Sequence, residues 1–181
     1  MKWEDLITVS SETATEQAAI LENRLINLRN ANRQEMVNRI DREEHRREQV
    51  TQYRGVYFIN DSMACTTNAT YYTFETLQNR TIWLAGGDDS QTNYMELVGF
   101  VSQKVKRLIC IGNDNEKLIK AFSAHIPDIQ ECRDMEQAVK IAFYAAENSD
   151  LVLLSPASEC DSIYENYETR GKAFKKAIAQ L

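Results

Sequence analysis

Four short polar segments each follow an apolar run in the sequence, and they carry the side chains best suited to hold a ligand. They are residues 60–66, 86–90, 112–114 and 155–161. Their mixture of hydroxyl, carboxyl, amide and small residues is typical of turns that lead from a strand into a helix. Side chains at such turns either cap the next helix or contact a ligand. Five could serve in either way: Asp61, Ser62, Thr66, Ser155 and Ser158.

Motifs for phosphate binding and for nucleophilic catalysis are absent from the sequence. There is no G-x-x-x-x-G-K-[ST] loop and no G-x-G-x-x-G, and Gly86-Gly87 is followed by no glycine or lysine that would hold a phosphate. There is no G-x-S-x-G elbow, and His45 and His125 accompany no evident nucleophile. From its residues alone, the chain lacks a complete catalytic apparatus.

The four cysteines do not form a metal-binding pattern. They lie tens of residues apart, with no C-x-x-C pair, and the chain has only two histidines. Because a structural zinc site needs closely paired ligands, we expect no metal site and instead free, mostly buried thiols in a reducing compartment. The cysteines are Cys65, Cys110, Cys132 and Cys160.

From Gly55 onward, β-rich runs alternate with helical stretches. Strands are predicted at 56–59, 81–85, 107–111 and 151–154, with a weaker one at 129–132; helices are predicted at about 69–79, 94–104, 114–122, 134–147 and 163–179. Such alternation predicts an α/β fold with a Rossmann-like, mostly parallel sheet and helices on both faces. The carboxyl ends of parallel strands share one edge, so the polar segments should form one cleft.

The residues before this region differ in kind. No Gly or Pro precedes Gly55, and apolar residues between Ile20 and Ile40 recur at helical spacing. We therefore expect a helical extension over residues 1–50 and an α/β domain over 51–181. The stretch from Arg29 to Arg54 contains seven Arg and five acidic residues, mixed along the sequence. This pattern indicates either a solvated helix face or a surface for a partner or an anionic ligand. The helix is too weakly apolar to fold alone, so it should pack on the α/β body, on a protein partner or, through residues 12–50, on a second copy.

Composition excludes several classes of protein. The 181 residues carry Lys+Arg 21 against Asp+Glu 27, a net charge of −6, and a nucleic-acid partner would require a basic face. No apolar stretch approaches the length of about 18 residues that a membrane span needs, and the first residues lack the apolar core of a signal peptide. We expect a cytoplasmic protein that binds neither nucleic acid nor membrane.

Four separated motifs resemble the C-terminal domain of Mur ligases, most nearly the D-glutamate-adding, MurD-like branch. They are Gly55–Ser62, Leu84–Asp89, Leu151–Ser158 and Tyr164–Gly171, and His45-Arg46 is similar to the His-Arg pair that precedes this domain in the family. In such ligases a central domain binds ATP, an acyl phosphate forms on the nucleotide substrate, and the amine of an amino acid attacks it. The resemblance implies that this domain completes the cleft and holds the amino acid.

The resemblance also implies residue roles. It places Arg46 and Asp61 on the nucleotide side, while ATP and Mg²⁺ would be bound only through a partner domain. The positions that would contact the ligand are Asp61, Ser62, Met63, Cys65, Thr66, Asp89, Ser90, Ser155, Ser158, Cys160, Asp161 and Tyr167.

Several of these positions depart from the family pattern. The two lysines of the pattern are Met63 and Ser90 here, a threonine is Cys65, a serine is Cys160, and an apolar residue is Asp161. A carboxylate that is half-buried without a cation costs several kcal/mol, so a D-glutamate pocket of the usual kind is not expected. The two thiols could face each other across the altered pocket.

Two hypotheses of function follow from the resemblance. Ligases of this family have three domains in more than twice this length, so the isolated chain is expected to be inactive. The first hypothesis is a non-catalytic module that binds a ligand, such as an amino acid or a muropeptide, or a protein partner, and that is linked to peptidoglycan precursor metabolism. The second is the amino-acid-binding part of a split ATP-dependent amide ligase with altered specificity.

Overall fold

The computed structural model describes residues 43–181, so the helix expected before Arg42 lies outside the described residues. The strands are β1 (Glu48–Tyr53), β2 (Val56–Asn60), β3 (Thr81–Ala85), β4 (Val105–Ile111), β5 (Ile129–Cys132) and β6 (Leu151–Leu154). The helices are α1 (Thr67–Thr76), α2 (Val98–Lys104), α3 (Glu116–Phe122), α4 (Met135–Ala145) and α5 (Tyr167–Ile178), with a 3₁₀ turn at Tyr94–Leu97 before α2.

The six strands form one sheet in the order β1-β2-β6-β3-β4-β5. All neighbouring pairs are parallel except β1 with β2, which is antiparallel. The predicted mostly parallel α/β fold is therefore confirmed. Strands β3, β5 and β6 have the predicted bounds. Strands β3 and β6 are buried on both faces and therefore appear in the sequence as short, nearly continuous apolar runs, whereas β5 is a partly buried edge strand.

Strand β1 contradicts part of the predicted helical extension. Its first three residues, 48–50, were expected to belong to the helical extension, but residues 48–53 form the edge strand that pairs with β2. Arg54 and Gly55 both have positive φ and join Tyr53 to its partner Val56, which is the geometry of a tight two-residue hairpin turn. Val50 and Tyr53 pack on the core, so tertiary contacts outweigh the local helical pattern.

Two apolar layers enclose the sheet. Helices α1, α2 and α3 cover one face, where Phe74, Trp83 and Phe122 are fully buried. Helices α4 and α5 pack together on the other face, where Phe174 of α5 lies against Phe58 of β2. No helix within residues 43–181 has the length and apolar character to cross a bilayer.

Some side chains of the polar segments cap helices, and others form contacts elsewhere in the fold. Thr66 caps α1, since its hydroxyl accepts a hydrogen bond from the Ala69 N–H at 3.2 Å. Asn166 caps α5 in a reciprocal capping box with Thr169. Asp61, Ser62, Ser155 and Ser158 cap no helix and instead form the long-range contacts described below.

Candidate functional site

The polar segments that follow β2, β3 and β6 meet at the carboxyl edge of the sheet, as the parallel topology predicts. Backbone hydrogen bonds join them: the Ala157 N–H donates to the Ala64 carbonyl at 3.0 Å, and the Asp88 N–H donates to the Glu159 carbonyl at 3.0 Å. Gly87 must be a glycine here, because its φ is +139° and a Cβ would lie 2.1 Å from the Glu159 carbonyl oxygen. The cleft walls are therefore fixed by backbone contacts.

Asp61 is the buried carboxylate of this edge. Its Oδ2 accepts hydrogen bonds from the Thr73 hydroxyl at 2.7 Å and the Ser155 hydroxyl at 2.9 Å, and its Oδ1 accepts the Arg47 N–H at 3.1 Å. Burial raises the pKa of Asp61 to about 6, although these hydrogen bonds and the charge of Arg47 oppose the rise. Thr70 extends the network through Ser155 at 2.9 Å.

A cavity of about 380 Å³ opens beside Asp61. It combines cationic, acidic and aromatic groups, with Tyr72 55% exposed, a set that could contact a phosphorylated or nucleotide ligand. Arg46 and Asp61, which the resemblance places on the nucleotide side, both line it. The lining residues are Arg46, Arg47, Asp61, Met63, Ala64, Ala69, Tyr72 and Thr73.

Arg170 is a site residue that the sequence reasoning missed. It is only 3% exposed, and its guanidinium donates to the Ser62 hydroxyl at 3.2 Å, the Ser62 carbonyl at 3.0 Å and the Cys65 thiol at 3.3 Å. It also reaches the carbonyls of Ser158 and Glu159, both at 3.5 Å. The available signal was its place in the motif Tyr164–Gly171. The arginine holds the segments after β2 and β6 together.

A second network of hydrogen bonds and ion pairs involves His45, Asn60 and Lys175. His45 is buried, and its Nδ1 lies 2.8 Å from Asn60 Nδ2, while Lys175 Nζ donates to Glu44 at 2.5 Å and to Glu48 at 3.0 Å. Glu44, His45 and Glu48 could in principle ligate a metal ion. The ammonium of Lys175 already pairs with both carboxylates, so this group is better explained as a structural network.

Three of the ligand-side positions, Cys65, Thr66 and Ser90, line a separate cavity of about 350 Å³, which we call the acidic cleft. It contains two carboxylates and a thiol, and no lysine or arginine of residues 43–181 lines it. The lining residues are Cys65, Thr66, Thr67, Asp88, Ser90, Gln91, Thr92, Asn93 and Glu159. Met63 lines the other cavity instead, next to Arg46 and Arg47.

The remaining ligand-side positions lie outside the lining of this cleft. Asp89 accepts a hydrogen bond from the Tyr94 hydroxyl at 3.2 Å. The Asp161 carboxylate is oriented toward the Asn113 N–H, at 3.4 Å. The ring of Tyr167 packs edge-on against His45, with 6.3 Å between ring centroids. Ser158 donates to the Pro156 carbonyl at 3.3 Å.

All four cysteines are free thiols, with Cys110 and Cys132 buried and Cys65 and Cys160 partly exposed. Burial raises the pKa of the Cys65 and Cys160 thiols, although the charge of Arg170 opposes the rise in both. Burial also raises the pKa of Cys110 to about 12. The Cys65 and Cys160 thiols are therefore in their protonated, weakly nucleophilic form at neutral pH.

Comparison with known proteins agrees with this architecture. Residues 45–158 match the family model described as Mur ligase, glutamate ligase domain. A UDP-N-acetylmuramoylalanine--D-glutamate ligase from Christiangramia forsetii is 38% identical over 91% of this chain and 37% of its own length. The ligase of the same name from Porphyromonas gingivalis is 40% identical over 76% of this chain and 30% of its length. The chain belongs to the Mur ligase family and is related to its D-glutamate-adding branch, and it spans about a third of the length of these relatives.

Solved structures share the fold at low sequence identity. MurF from Acinetobacter baumannii superposes with a TM-score of 0.54 at 13% identity, covering 77% of this chain and 30% of that protein. The bifunctional folylpolyglutamate synthase/dihydrofolate synthase from Yersinia pestis also gives 0.54, at 19% identity over 77% of this chain and 32% of that protein. The predicted resemblance to the C-terminal domain of Mur ligases is confirmed.

Proposed function

We propose that this Mur ligase domain is a non-catalytic ligand-binding module, linked to peptidoglycan precursor metabolism, whose cleft does not accept D-glutamate. The observation that carries the proposal is the charge of the acidic cleft. Asp88, Glu159 and Ser90 line it, and Ser90 stands where the family resemblance implies a lysine; Met63, at the other such position, lines the cavity beside Asp61. A dicarboxylate entering this cleft would lose hydration and gain no ion pair.

Two cations reach the walls of the acidic cleft, and backbone carbonyls bind both. Lys117 Nζ donates to the carbonyls of Asp89 at 2.7 Å and Ser90 at 3.3 Å. Arg170 is buried among the carbonyls of Ser62, Ser158 and Glu159. Because these contacts hold the loops in place, moving either cation onto a ligand would cost the hydrogen bonds that shape the cleft.

The test is calorimetric titration and thermal shift of the full chain with D-glutamate. Wild-type protein should show no response at millimolar ligand, and the double variant Met63→Lys/Ser90→Lys should gain binding. At a ligand concentration ten times Kd, that gain raises the unfolding free energy by about 1.4 kcal/mol. The matched control, Gln52→Lys/Gln180→Lys, adds the same charge at two exposed positions and should not respond. Binding by wild-type protein, or an equal gain in the control, would contradict the proposal.

A second candidate function rests on the cavity beside Asp61. Arg46 and Asp61 are together there, as a nucleotide-side surface would require, which supports the amino-acid-binding part of a split ATP-dependent amide ligase with altered specificity. ATP and Mg²⁺ would then be bound by a partner domain.

An ADP-release assay separates the two candidates. The chain alone, with ATP, UDP-N-acetylmuramoyl-L-alanine and D-glutamate, should release no ADP. The split-ligase candidate requires that adding a polypeptide with the two missing domains produces ADP release with some amino acid, and that Asp61→Asn reduces it. Absence of chain-dependent ADP release across all common amino acids would refute this candidate.

A further inference from the structure

The residues that lead into β1 have two strained backbone conformations. His45 and Arg47 have φ angles of +67° and +46°, in the left-handed region that residues other than glycine adopt infrequently. Such conformations persist only where surrounding contacts hold them, and they are concentrated at functional sites. Arg46 and Arg47 both line the cavity beside Asp61. The strain therefore lies in the segment that brings two cations to this cavity, residues 43–47, which we call the arginine segment.

Backbone hydrogen bonds tie the arginine segment to its neighbours. The His45 N–H donates to Glu48 Oε2 at 3.0 Å, and the His45 carbonyl accepts the Met63 N–H at 3.0 Å. The Arg47 N–H donates to Asp61 Oδ1 at 3.1 Å. Both strained residues are therefore bonded to the loop that follows β2, and Asp61 and Met63 of this loop line the same cavity.

Within the arginine segment, only the side chain of His45 is buried. Its ring fits against helix α5 because Gly171 has no side chain, and a Cβ there would lie 2.2 Å from Nδ1. The same Nδ1 lies 2.8 Å from the side-chain nitrogen of Asn60, at the end of β2. The imidazole is therefore held between β2 and α5.

The hydrogen bonds of Asn60 determine which nitrogen of the ring carries the proton. Asn60 Oδ1 accepts the Ser62 N–H at 3.2 Å, so the amide is oriented with Nδ2 toward the ring. Nδ2 donates one hydrogen to Glu48 Oε2 at 3.0 Å and the other to His45 Nδ1 at 2.8 Å. Because a ring nitrogen that accepts a hydrogen bond is unprotonated, the imidazole is neutral and carries its proton on Nε2. Nε2 lies 3.5 Å from Glu44 Oε1.

We propose that His45 is a positioning residue: its neutral imidazole, with the proton on Nε2, holds the arginine segment on Asn60 and thereby directs Arg46 and Arg47 at the cavity beside Asp61. The imidazole does not line this cavity, so it acts through the two arginines. The hydrogen bond from Asn60 helps to offset the backbone strain at His45, because it fixes the ring on β2. The proposal concerns how the chain holds the cavity wall, and it requires neither of the candidate functions above.

The first test is NMR spectroscopy of the full chain. Long-range correlation of the ring protons with the ring nitrogens should show His45 with Nδ1 unprotonated and Nε2 protonated. The only other histidine is His125, which is exposed, and a His125→Asn variant assigns the signals. A His45 ring that carries its proton on Nδ1, or on both nitrogens, would overturn the proposal.

Amide hydrogen exchange tests whether the imidazole holds the segment. His45→Phe keeps a ring but removes the acceptor, which leaves an N–H of Asn60 without a partner. Exchange of the Met63 and Arg47 amide hydrogens should then be roughly tenfold faster than in wild-type protein. His45→Asn keeps an acceptor near the Nδ1 position and tolerates positive φ, so it should restore slow exchange. The amide of Trp83, in the central strand β3, should exchange equally slowly in every variant, which shows that the fold is intact.

A glycine variant separates the imidazole from the strain. His45→Gly relieves the strained φ but offers no ring acceptor, so exchange at Met63 and Arg47 should again be fast. Slow exchange in His45→Gly or His45→Phe would overturn the proposal, because the backbone hydrogen bonds would then hold the segment without the ring. The matched control, His125→Phe, changes an exposed histidine and should exchange like wild-type protein.

Crystal structures of the variants connect the imidazole with the cavity. Arg46 and Arg47 should line the cavity in wild-type protein and in His45→Asn, but not in His45→Phe, and their retention at the wall in His45→Phe would overturn the proposal. The NMR measurement uses wild-type protein, so the proposal remains testable if a variant fails to fold. None of these measurements uses D-glutamate or ADP release, so this proposal and the function proposed above fail separately.

Discussion

Replacing Asp61 by asparagine should change how the stability of the domain depends on pH. The folded protein binds a proton at Asp61 with a pKa of about 6, whereas an unfolded aspartate has a pKa of about 3.9. The stability that this proton contributes is therefore fully present below about pH 4 and is lost as the pH rises through 6. Asp61→Asn is nearly isosteric and can still accept the Arg47 N–H, but it never ionises.

The size of the effect follows from the two pKa values. They differ by about 2, and each pH unit over which only the folded state holds the proton changes the unfolding free energy by about 1.4 kcal/mol. The stability of wild-type protein relative to Asp61→Asn should therefore fall by about 3 kcal/mol between pH 4 and pH 7.5. Taking the difference between the two proteins cancels the contributions of other groups, such as Glu44. The hydrogen bond and ion pair with Lys175 lower the pKa of Glu44, so its contribution to stability changes with pH in the opposite direction.

Urea unfolding at several pH values measures this difference. The fluorescence of the fully buried Trp83 and circular dichroism monitor the unfolding. Glu75→Gln, which removes an exposed carboxylate, should give a difference that does not change with pH. The raised pKa of Asp61 would be refuted if the difference in unfolding free energy between the wild-type and Asp61→Asn proteins stayed constant with pH to within about 0.5 kcal/mol. It would also be refuted if wild-type protein gained stability relative to the variant as the pH rose, because the hydrogen bonds to the carboxylate would then dominate.

Three further changes test the contacts that fix the site. Arg170→Met should lower the unfolding free energy by about 3 kcal/mol or more, since it leaves several buried carbonyls without a donor; urea unfolding measures this. Gly171→Ala should cost about 1–3 kcal/mol, because a Cβ there would lie 2.2 Å from His45 Nδ1, whereas Gly99→Ala in helix α2 should be neutral or stabilising. Alkylation of Cys65 by iodoacetamide at pH 7.5, followed by mass spectrometry, should be much slower in the folded than in the unfolded protein, and equal rates would exclude the raised pKa.

The sequence predicted the structure best at the strands that are buried on both faces of the sheet. Residues 151–154 are apolar throughout, residues 81–85 are apolar except for Thr81, and both are central parallel strands, so their pattern and their structure agree. Strand β1 was missed because residues 48–53 are mostly polar and only half-buried, as is usual for an edge strand, and their charge pattern also suits a helix. Its position depends on the hairpin turn at Arg54-Gly55 and on packing against the core, neither of which has a helical or apolar signature.

Site prediction succeeded for loops and failed for long-range side-chain contacts. The segments after β2, β3 and β6 meet because the sheet topology requires it, and topology follows from the order of strands and helices. Arg170 bonds to backbone atoms of Ser62, 108 positions earlier in the chain, and the acceptors are carbonyls that any residue possesses. No spacing rule within the sequence could therefore identify its partners.

Backbone contacts and one buried arginine hold this part of the family fold together. The walls of the acidic cleft are held by backbone hydrogen bonds between Asp88 and Glu159 and between Ala157 and Ala64, and by the buried guanidinium of Arg170. None of these contacts uses the side chains of Met63 or Ser90. The scaffold therefore does not depend on the residues at those two positions, so a shared fold defines the cleft while its side chains decide what binds there.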